Sequence, residues 1–555
     1  MIDSQPGLYC IFPVKGEYHM HCRKEIYSTI NNSFGKDPLR EVLPYHTQNR
    51  MEDIKRYHHA ILKSEKSDCI SYVDECTWND LEMDQIFSRI NHTHSTIGEQ
   101  MLYHQLHRLL ISKKDEKSAK AFENRLSTYK NNPDLRIKTE AVLHRIGKSR
   151  EDCFLFEFLS ETSAWKLGNP IVYHLLQILL AGFGMLSILT GAYWAMGALI
   201  TVALVNLAVY VCTKQRYEVY LQGMMDFLRI YSGAEKMKKH FEKESLKVGE
   251  DVTDALQQLK KLSGLLGRLA GQKQSYASGD LVGILYEYIF GVTLIDLTIF
   301  CYMKRILSEK REAVYQILNF IGTTDAEIAV ASFRESLPYW CEPEFAEDGI
   351  EIRQIIHPLL ENAIPNDWAP GRCAIITGSN ASGKSTFMKS LAINCILAQT
   401  IHTCTAKYMR IRPYQVRTCM ALRDDIRTGE SYYYREAKCL ESMISCSDDA
   451  NMLLVIDEML KGTNSRERIA ASKAMLEYLE SQNAQVVVAT HDLELTNVSG
   501  YENYHFSSEI KNDNIVFDYK IHKGINAKSN AIALLDLLGY PETIIRRAKE
   551  YADEN

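Results

Sequence analysis

Along residues 51–165 apolar positions recur three and four apart, as in "LEMDQIFSRI" and "IGEQMLYHQLHRLLI". That spacing lays one apolar stripe on each helix and predicts a bundle of amphipathic helices. The pattern then changes abruptly. Residues 170–212 contain no Asp, Glu, Lys or Arg at all. The run is about twice the ~20 residues that cross a bilayer as one helix. Divided at "GAYWA", it predicts a transmembrane hairpin of helices 171–190 and 195–212. Lys166 before it and Lys214 and Arg216 after it fit cytoplasmic flanks, and Tyr193 and Trp194 would mark the far interface. The alternative is a helical hairpin buried inside the bundle.

From 213 to 275 charged, heptad-like segments with few breakers return and predict long helical arms. A second apolar stretch, 281–303, carries Glu287 and Asp296. Each costs about 2.5–3.5 kcal/mol at the centre of a membrane helix, so this stretch is expected to be a buried core helix. From about residue 331 short β-rich runs, "RCAIIT", "NMLLVID" and "AQVVVAT", alternate with helices and predict an α/β domain with a largely parallel sheet. The chain thus divides into 1–50, of unclear role; 51–169, the first part of a helical core; the hairpin 170–212; 213–345, arms and the rest of the core; and 346–555, an α/β nucleotide-binding domain.

Composition narrows the picture a little. A chain of 555 residues with 46% apolar residues can bury several cores. Its net charge of −6 argues against a protein coated in nucleic-acid phosphate. Residues 101–150 nevertheless hold twelve Lys or Arg against five Asp or Glu, either a solvated bundle face or a phosphate-facing surface. Fourteen cysteines without a Cys-x-x-Cys pair fit reduced thiols. The first twenty residues lack the basic-then-apolar pattern of a cleaved leader.

The chemistry lies in the α/β part. "ITGSNASGKSTF" matches GxxxxGK[ST] between a β-rich run and a helical pattern. Backbone amides of Gly378, Ser379, Asn380, Ala381, Ser382, Gly383, Lys384, Ser385 and Thr386 would cradle phosphates, with Lys384 on the β and γ phosphates and Ser385 on Mg²⁺. In "NMLLVIDEML" an apolar strand delivers Asp457, suited to the Mg²⁺ side, and Glu458, suited to polarising water. His491, after "VVVAT", stands where an imidazole can sense a γ-phosphate. No NKxD sequence follows, so ATP is favoured over GTP.

The order "IRQIIHPLLENAIPND", "ITGSNASGKSTF", "LRDDIRTGESYYYREAKCLESMI", "LLVIDEMLKGTNSRERIAA" and "VVVATHDLEL" resembles the ATPase domain of the MutS family of DNA mismatch repair ATPases, within the ABC ATPase class. "VDECTWNDLEM" and "INHTHSTIGEQMLYHQL" look like the start of that family's helical core. The resemblance implies a head-to-head homodimer with ATP and Mg²⁺ between the heads and duplex DNA between the arms. It makes Gly378 through Thr386 the phosphate loop, with Lys384 balancing developing charge, Asp457 the Mg²⁺-side acid, Glu458 the catalytic base and His491 the switch histidine, and puts Ser431 on the other subunit's γ-phosphate. Asn464 would face the dimer interface and Ile364 the adenine. The chain departs from the family in its loop, Gly-Ser-Asn-Ala-Ser-Gly for Gly-Pro-Asn-Met-Gly-Gly, and in lacking room for a mismatch-reading domain before the core. The expected function is an ATP-dependent, membrane-tethered DNA clamp in repair or recombination, with its ATPase domain in the cytoplasm. The rival is a membrane-bound ABC-type mechanical ATPase that acts on protein or membrane assemblies without DNA.

Overall fold

The computed structural model describes residues 26–40, 51–62, 70–110, 116–148, 168–244, 246–277, 288–347, 349–379, 382–420, 432–449, 451–511, 514–525 and 539–553, with 532, 535 and 536. The bundle pattern folds as expected. Helices α1 (Met51–Leu62), α2 (Glu75–Asp80), α3 (Met83–Ile90), α4 (Thr96–His107), α5 (Glu116–Asn131) and α6 (Pro133–Ile146) form its first part, with a small antiparallel sheet of β1 (Ile70–Tyr72) and β2 (Arg108–Leu110) closing around α2 to α4. Their starts follow from local chemistry. Asp74 caps α2 by accepting from the Thr77 amide, and Asn132 caps α6 ahead of Pro133, whose missing N–H costs nothing at a first turn.

The apolar run folds as α7 (Pro170–Thr190) and α8 (Tyr193–Lys243), joined only by Gly191, in the left-handed region at φ 62°, and Ala192. The joint is therefore two residues, not "GAYWA". The second helix does not end at 212 either: it runs unbroken for 51 residues into the charged arm. Composition switches at Lys214, but nothing there breaks a helix. Pro170–Thr190 and Tyr193–Lys214 are each long and apolar enough to cross a membrane, and 6% and 17% of their most apolar windows are buried. Ile188 is 86% exposed and Tyr193 91%. The pair projects from the bundle rather than packing inside it. Lys166 lies outside the described residues.

Three further helices complete the helical part: α9 (Glu250–Ala277), α10 (Ile295–Glu309) and α11 (Arg311–Glu335). The stretch expected as one core helix over 281–303 is broken. Residues 288–293 are helical, Leu294 takes a left-handed φ of 52°, and α10 starts after it. α11 is the axis of the bundle, buried from Ile321 to Phe333 along most of its length. Its Asp325, fully buried, accepts hydrogen bonds from the amides of His94 and Ser95 (2.9 and 2.8 Å) and from the Ser95 hydroxyl (2.5 Å). A side chain at Gly98 would place its Cβ 2.1 Å from that carboxylate, so the close approach of α4 and α11 requires glycine there.

The remainder forms two sheets. A six-stranded sheet has the order β12-β11-β6-β10-β9-β8, in which β6 (Cys373–Thr377), β8 (Gln415–Cys419), β9 (Met452–Asp457), β10 (Gln485–Thr490) and β11 (Glu502–Lys511) are parallel and β12 (Asn514–Lys523) is antiparallel to β11. The all-buried patterns of β6, β9 and β10 are those of strands covered on both faces. Helices α12 (Lys384–Ile401), α13 (Tyr432–Ser445) and α14 (Ser465–Glu480) connect them, and α15 (Glu542–Asp553) follows. A smaller sheet of β3 (Glu344–Phe345), β7 (Tyr408–Ile411), β4 (Ile350–Ile355) and β5 (Asn366–Trp368), in that order, was not foreseen from the sequence.

The head is welded to the bundle. Asp80 of α2 accepts from the Thr418 hydroxyl and the Met420 amide, both at 2.9 Å, at the end of β8. Arg334 of α11 forks onto Glu123 of α5 with two 2.7 Å bonds and also donates to Thr403 Oγ1 (2.8 Å) and the His402 carbonyl (2.9 Å). One continuous apolar core runs from Trp78 and Phe87 through Phe333 to Leu391 and Ile396 of the head.

Candidate functional site

β6, β10 and β9 are neighbours, so their C-terminal ends deliver Gly378, His491 and Asp457 to one edge of the sheet. Ligands of open α/β sheets bind outside those ends. Gly378 and Gly383 hold φ 148° and 105°, conformations glycine reaches freely. At Gly378 a Cβ would also meet the Phe506 carbonyl at 2.9 Å. α12 opens immediately after, directing its first-turn amides at the loop.

Lys384 Nζ donates to the carbonyls of Gly378 (2.6 Å) and Ser379 (3.0 Å) and stands 3.4 Å from His491 Nε2. Ser385 Oγ donates to Asp457 Oδ2 at 2.6 Å. His491 Nε2 lies 2.5 Å from Glu458 Oε1, and Lys461 Nζ 3.2 Å from Glu458 Oε2. The hydrogen bond and charge of His491, with help from Lys461, hold the Glu458 carboxyl down at about 2. It is a carboxylate at neutral pH. Glu458 sits at φ 57°, a left-handed conformation rare for a side-chain-bearing residue, and its amide is tied to the Ala489 carbonyl at 2.9 Å. Such strain costs of order 1–3 kcal/mol and clusters at functional sites.

The site has polar atoms awaiting a ligand. Asp457 Oδ1 and the hydroxyls of Ser379 and Ser382 are buried without a hydrogen-bond partner among the described residues. Buried polar groups are otherwise nearly always paired. Asp457 Oδ1 beside Ser385 Oγ is the hard-oxygen pair that Mg²⁺ takes, and the two serines with Lys384 suit phosphate oxygens. A cavity of about 440 Å³ continues from the loop, lined by His357, Ile364, Asn366, Phe506 and Tyr519 among others. Ile364, 41% exposed, lines the same cavity.

Sequence reasoning missed several neighbours. Tyr519 arrives from the β11–β12 hairpin, and no local pattern announces it; its ring is the near neighbour of Gly383. Lys461 was available as a basic residue three after Glu458. Glu436 of α13 accepts from the Lys461 amide (3.3 Å) and so braces the loop that carries Glu458. Arg468 clasps Asp492 through 2.7 and 3.0 Å bonds, fixing the turn after His491. Asn464 caps α14 by accepting from the Glu467 amide at 3.0 Å. Its side chain is therefore engaged in a helix cap. Ser431, Asn380 and Ala381 lie outside the described residues.

Burial lowers Lys384 to about 8 against the pull of Glu458 and Asp457. A triphosphate would draw the proton back. Below pH 8 Lys384 is already charged and affinity is flat; as pH rises from 8 towards 10, binding must include proton uptake. Nucleotide affinity is therefore expected to fall with a slope of up to about tenfold per pH unit. Titration with a fluorescent ATP analogue between pH 6.5 and 9.5 checks this, and a flat profile would contradict it.

A glycine-rich loop after one strand and an Asp-Glu pair ending another define a P-loop nucleotide-binding domain. Residues 374–554 match the family model described as MutS domain V. Over 288 residues, 46% of this chain, it is 27% identical to DNA mismatch repair protein MutS 2 of Haloarcula marismortui, covering 30% of that protein. It is 31% identical over 252 residues to DNA mismatch repair protein MutS of Natronomonas pharaonis, and 30% over 298 residues to human MutS protein homolog 4. These matches cover 43% and 50% of this chain, and 29% and 32% of the relatives. The matched stretch thus spans under a third of each relative's length.

Proposed function

We propose that the chain is a Mg²⁺-dependent, MutS-like ATPase that acts as a homodimeric clamp tethered to a membrane by α7 and the apolar half of α8, with duplex DNA as its ligand and a role in DNA repair or recombination. The observation that carries the ATPase reading is the convergence of Lys384, Ser385, Asp457, Glu458 and His491 on one sheet edge. Mg²⁺ held through Ser385 and Asp457 would neutralise charge on the phosphates. Lys384 binds and orients the γ-phosphate once it exchanges the loop carbonyls for phosphate oxygens. Glu458 orients water and accepts its proton at Oε1 or Oε2, and His491 positions that carboxylate. Ser431 of the partner subunit would complete the phosphate shell, and Asn464, as a cap, would present the start of α14 to the same interface. The domain division given by the sequence serves this reading: head 346–555 acting on the helical core 51–169 and on the arms and rest of the core 213–345. The relatives' names supply the DNA reading.

A second reading is favoured by one observation: the arm helix α8 is itself the apolar helix, without a break. Head closure would then act directly on the membrane or on an assembly in it, without DNA. Stimulation of ATP turnover separates the two. On the DNA reading, duplex DNA raises turnover at low salt and the effect disappears steeply as salt rises, because phosphate contacts release counterions. Stimulation by liposomes alone, with no DNA retained on a filter at low salt, would replace the clamp by the mechanical ATPase.

A further inference from the structure

The run 170–212 contains two amide side chains, Gln177 on α7 and Asn206 on α8, and no others. Both donate to the same place. Asn206 Nδ2 bonds the Val292 carbonyl at 2.7 Å, and Gln177 Nε2 bonds the Thr293 carbonyl at 2.9 Å. Those carbonyls belong to the last turn before Leu294, whose left-handed backbone interrupts the helical path between 288–293 and α10. Approach is tight at this point: a Cβ on Gly291 would lie 3.1 Å from Leu207 and 3.2 Å from Tyr210.

In water a helix break needs no such provision, since solvent satisfies its carbonyls. In hydrocarbon it is tolerated only where protein groups do so. The surroundings are apolar on the outside as well. Tyr288, Ile289, Ile295 and Tyr302 are 57, 46, 42 and 53% exposed, and Leu175 and Ile178 of α7 and Leu204 of α8 are exposed as well. Asp296, which argued against embedding from the sequence, is buried rather than outward-facing. Lys304 and Arg305 follow within a turn of Tyr302, as Lys214 and Arg216 follow the apolar run on α8, and further down the Phe300 ring stacks on Tyr220 of α8 with centroids 6.0 Å apart. From Pro170 to Gln177 α7 rises ~10 Å, and from Gln177 to Thr190 another ~20 Å, together the ~30 Å of a hydrocarbon core. Gln177, and with it the break it bonds, thus lies about a third of the way along α7 from Pro170.

We infer that residues 288–302 enter the lipid layer beside the hairpin as a third, broken element, its interruption held at depth by Gln177 and Asn206, with acyl chains as the partner of Tyr288, Ile289 and Ile295. This rests on the membrane tethering proposed above. It makes the embedded unit a three-part wedge whose α10 leads directly into α11, the axis of the bundle.

The test uses the full chain in phosphatidylcholine–phosphatidylglycerol liposomes, with the photocrosslinker p-benzoylphenylalanine replacing Ile188, Ile295 or Tyr478 in turn, and lipid adducts read by mass. Ile188 reports the hairpin, Ile295 the broken element, and Tyr478, 48% exposed on the head, the background. Adducts at 188 and 295 and none at 478 are expected. An adduct at 188 with none at 295 overturns the inference and leaves the tether intact. No adduct at 188 sinks the tether and the inference with it. In the double variant Gln177→Leu, Asn206→Leu the adduct at 295 should be lost while that at 188 stays; an unchanged yield at 295 overturns the anchoring role.

Discussion

Replacing Glu458 with Gln is expected to leave ATP bound and to slow its turnover by about 10²–10⁴-fold, the usual worth of a positioned general base. The structure separates the two effects. Glu458 bonds His491 and Lys461, whereas the groups suited to phosphate and Mg²⁺, Lys384 and Ser385, bond the loop carbonyls and Asp457. The glutamine can keep its place under His491 and beside Lys461, yet it cannot accept water's proton. Loss of the negative charge also removes repulsion towards a γ-phosphate, so affinity at pH 7 should be equal or tighter. At higher pH the sign reverses. Glu458 is the foremost charge holding Lys384 protonated, so the variant's affinity should begin to fall at lower pH than the wild type's. Single-turnover hydrolysis with binding measured in parallel checks both. Turnover within a few-fold of wild type would remove Glu458 from the role of base and shift attention to His491.

Much of this site was legible because its chemistry is local in sequence. A phosphate loop is built by consecutive residues, and Asp457 and Glu458 are adjacent at the end of one apolar strand. The hairpin was legible for a different reason: absence of charge over two helix lengths leaves few alternatives. What was lost was non-local or set by backbone continuity. Tyr519 reaches the cavity through the pairing of β11 and β12, and Asn366 accepts from the Ile521 amide at 2.8 Å, a contact across 155 positions. The burial of Asp296 was not legible because one sequence cannot say which face of a helix turns inward. The end of α8 was not legible at 212 because composition changes there while the helix continues. Leu294, the break that matters most, is an ordinary helix former, and nothing in its local sequence announces its left-handed backbone.

The same distinction makes Arg334 the residue whose loss should be felt most widely. It is 5% exposed in its side chain, and its guanidinium joins α5, through Glu123, to the turn after α12, through Thr403 and His402. The Trp340 ring lies 4.2 Å from it. Arg334→Ala strands a largely buried carboxylate and several acceptors, and removing one partner of a buried pair costs about 3–5 kcal/mol. Arg334→Lys is the informative companion. A lysine keeps the charge beside Glu123 but cannot make the paired fork and the two further contacts at once. Its folded state should survive with a smaller loss, while the head is freed from the bundle. Thermal unfolding should therefore show an early transition for the alanine variant. The lysine variant should keep wild-type nucleotide affinity but lose the coupling between ligand on the arms and turnover in the head. A lysine variant with full coupling would mean that the core packed around Leu391 and Phe333, rather than the Arg334 fork, carries motion from head to arm.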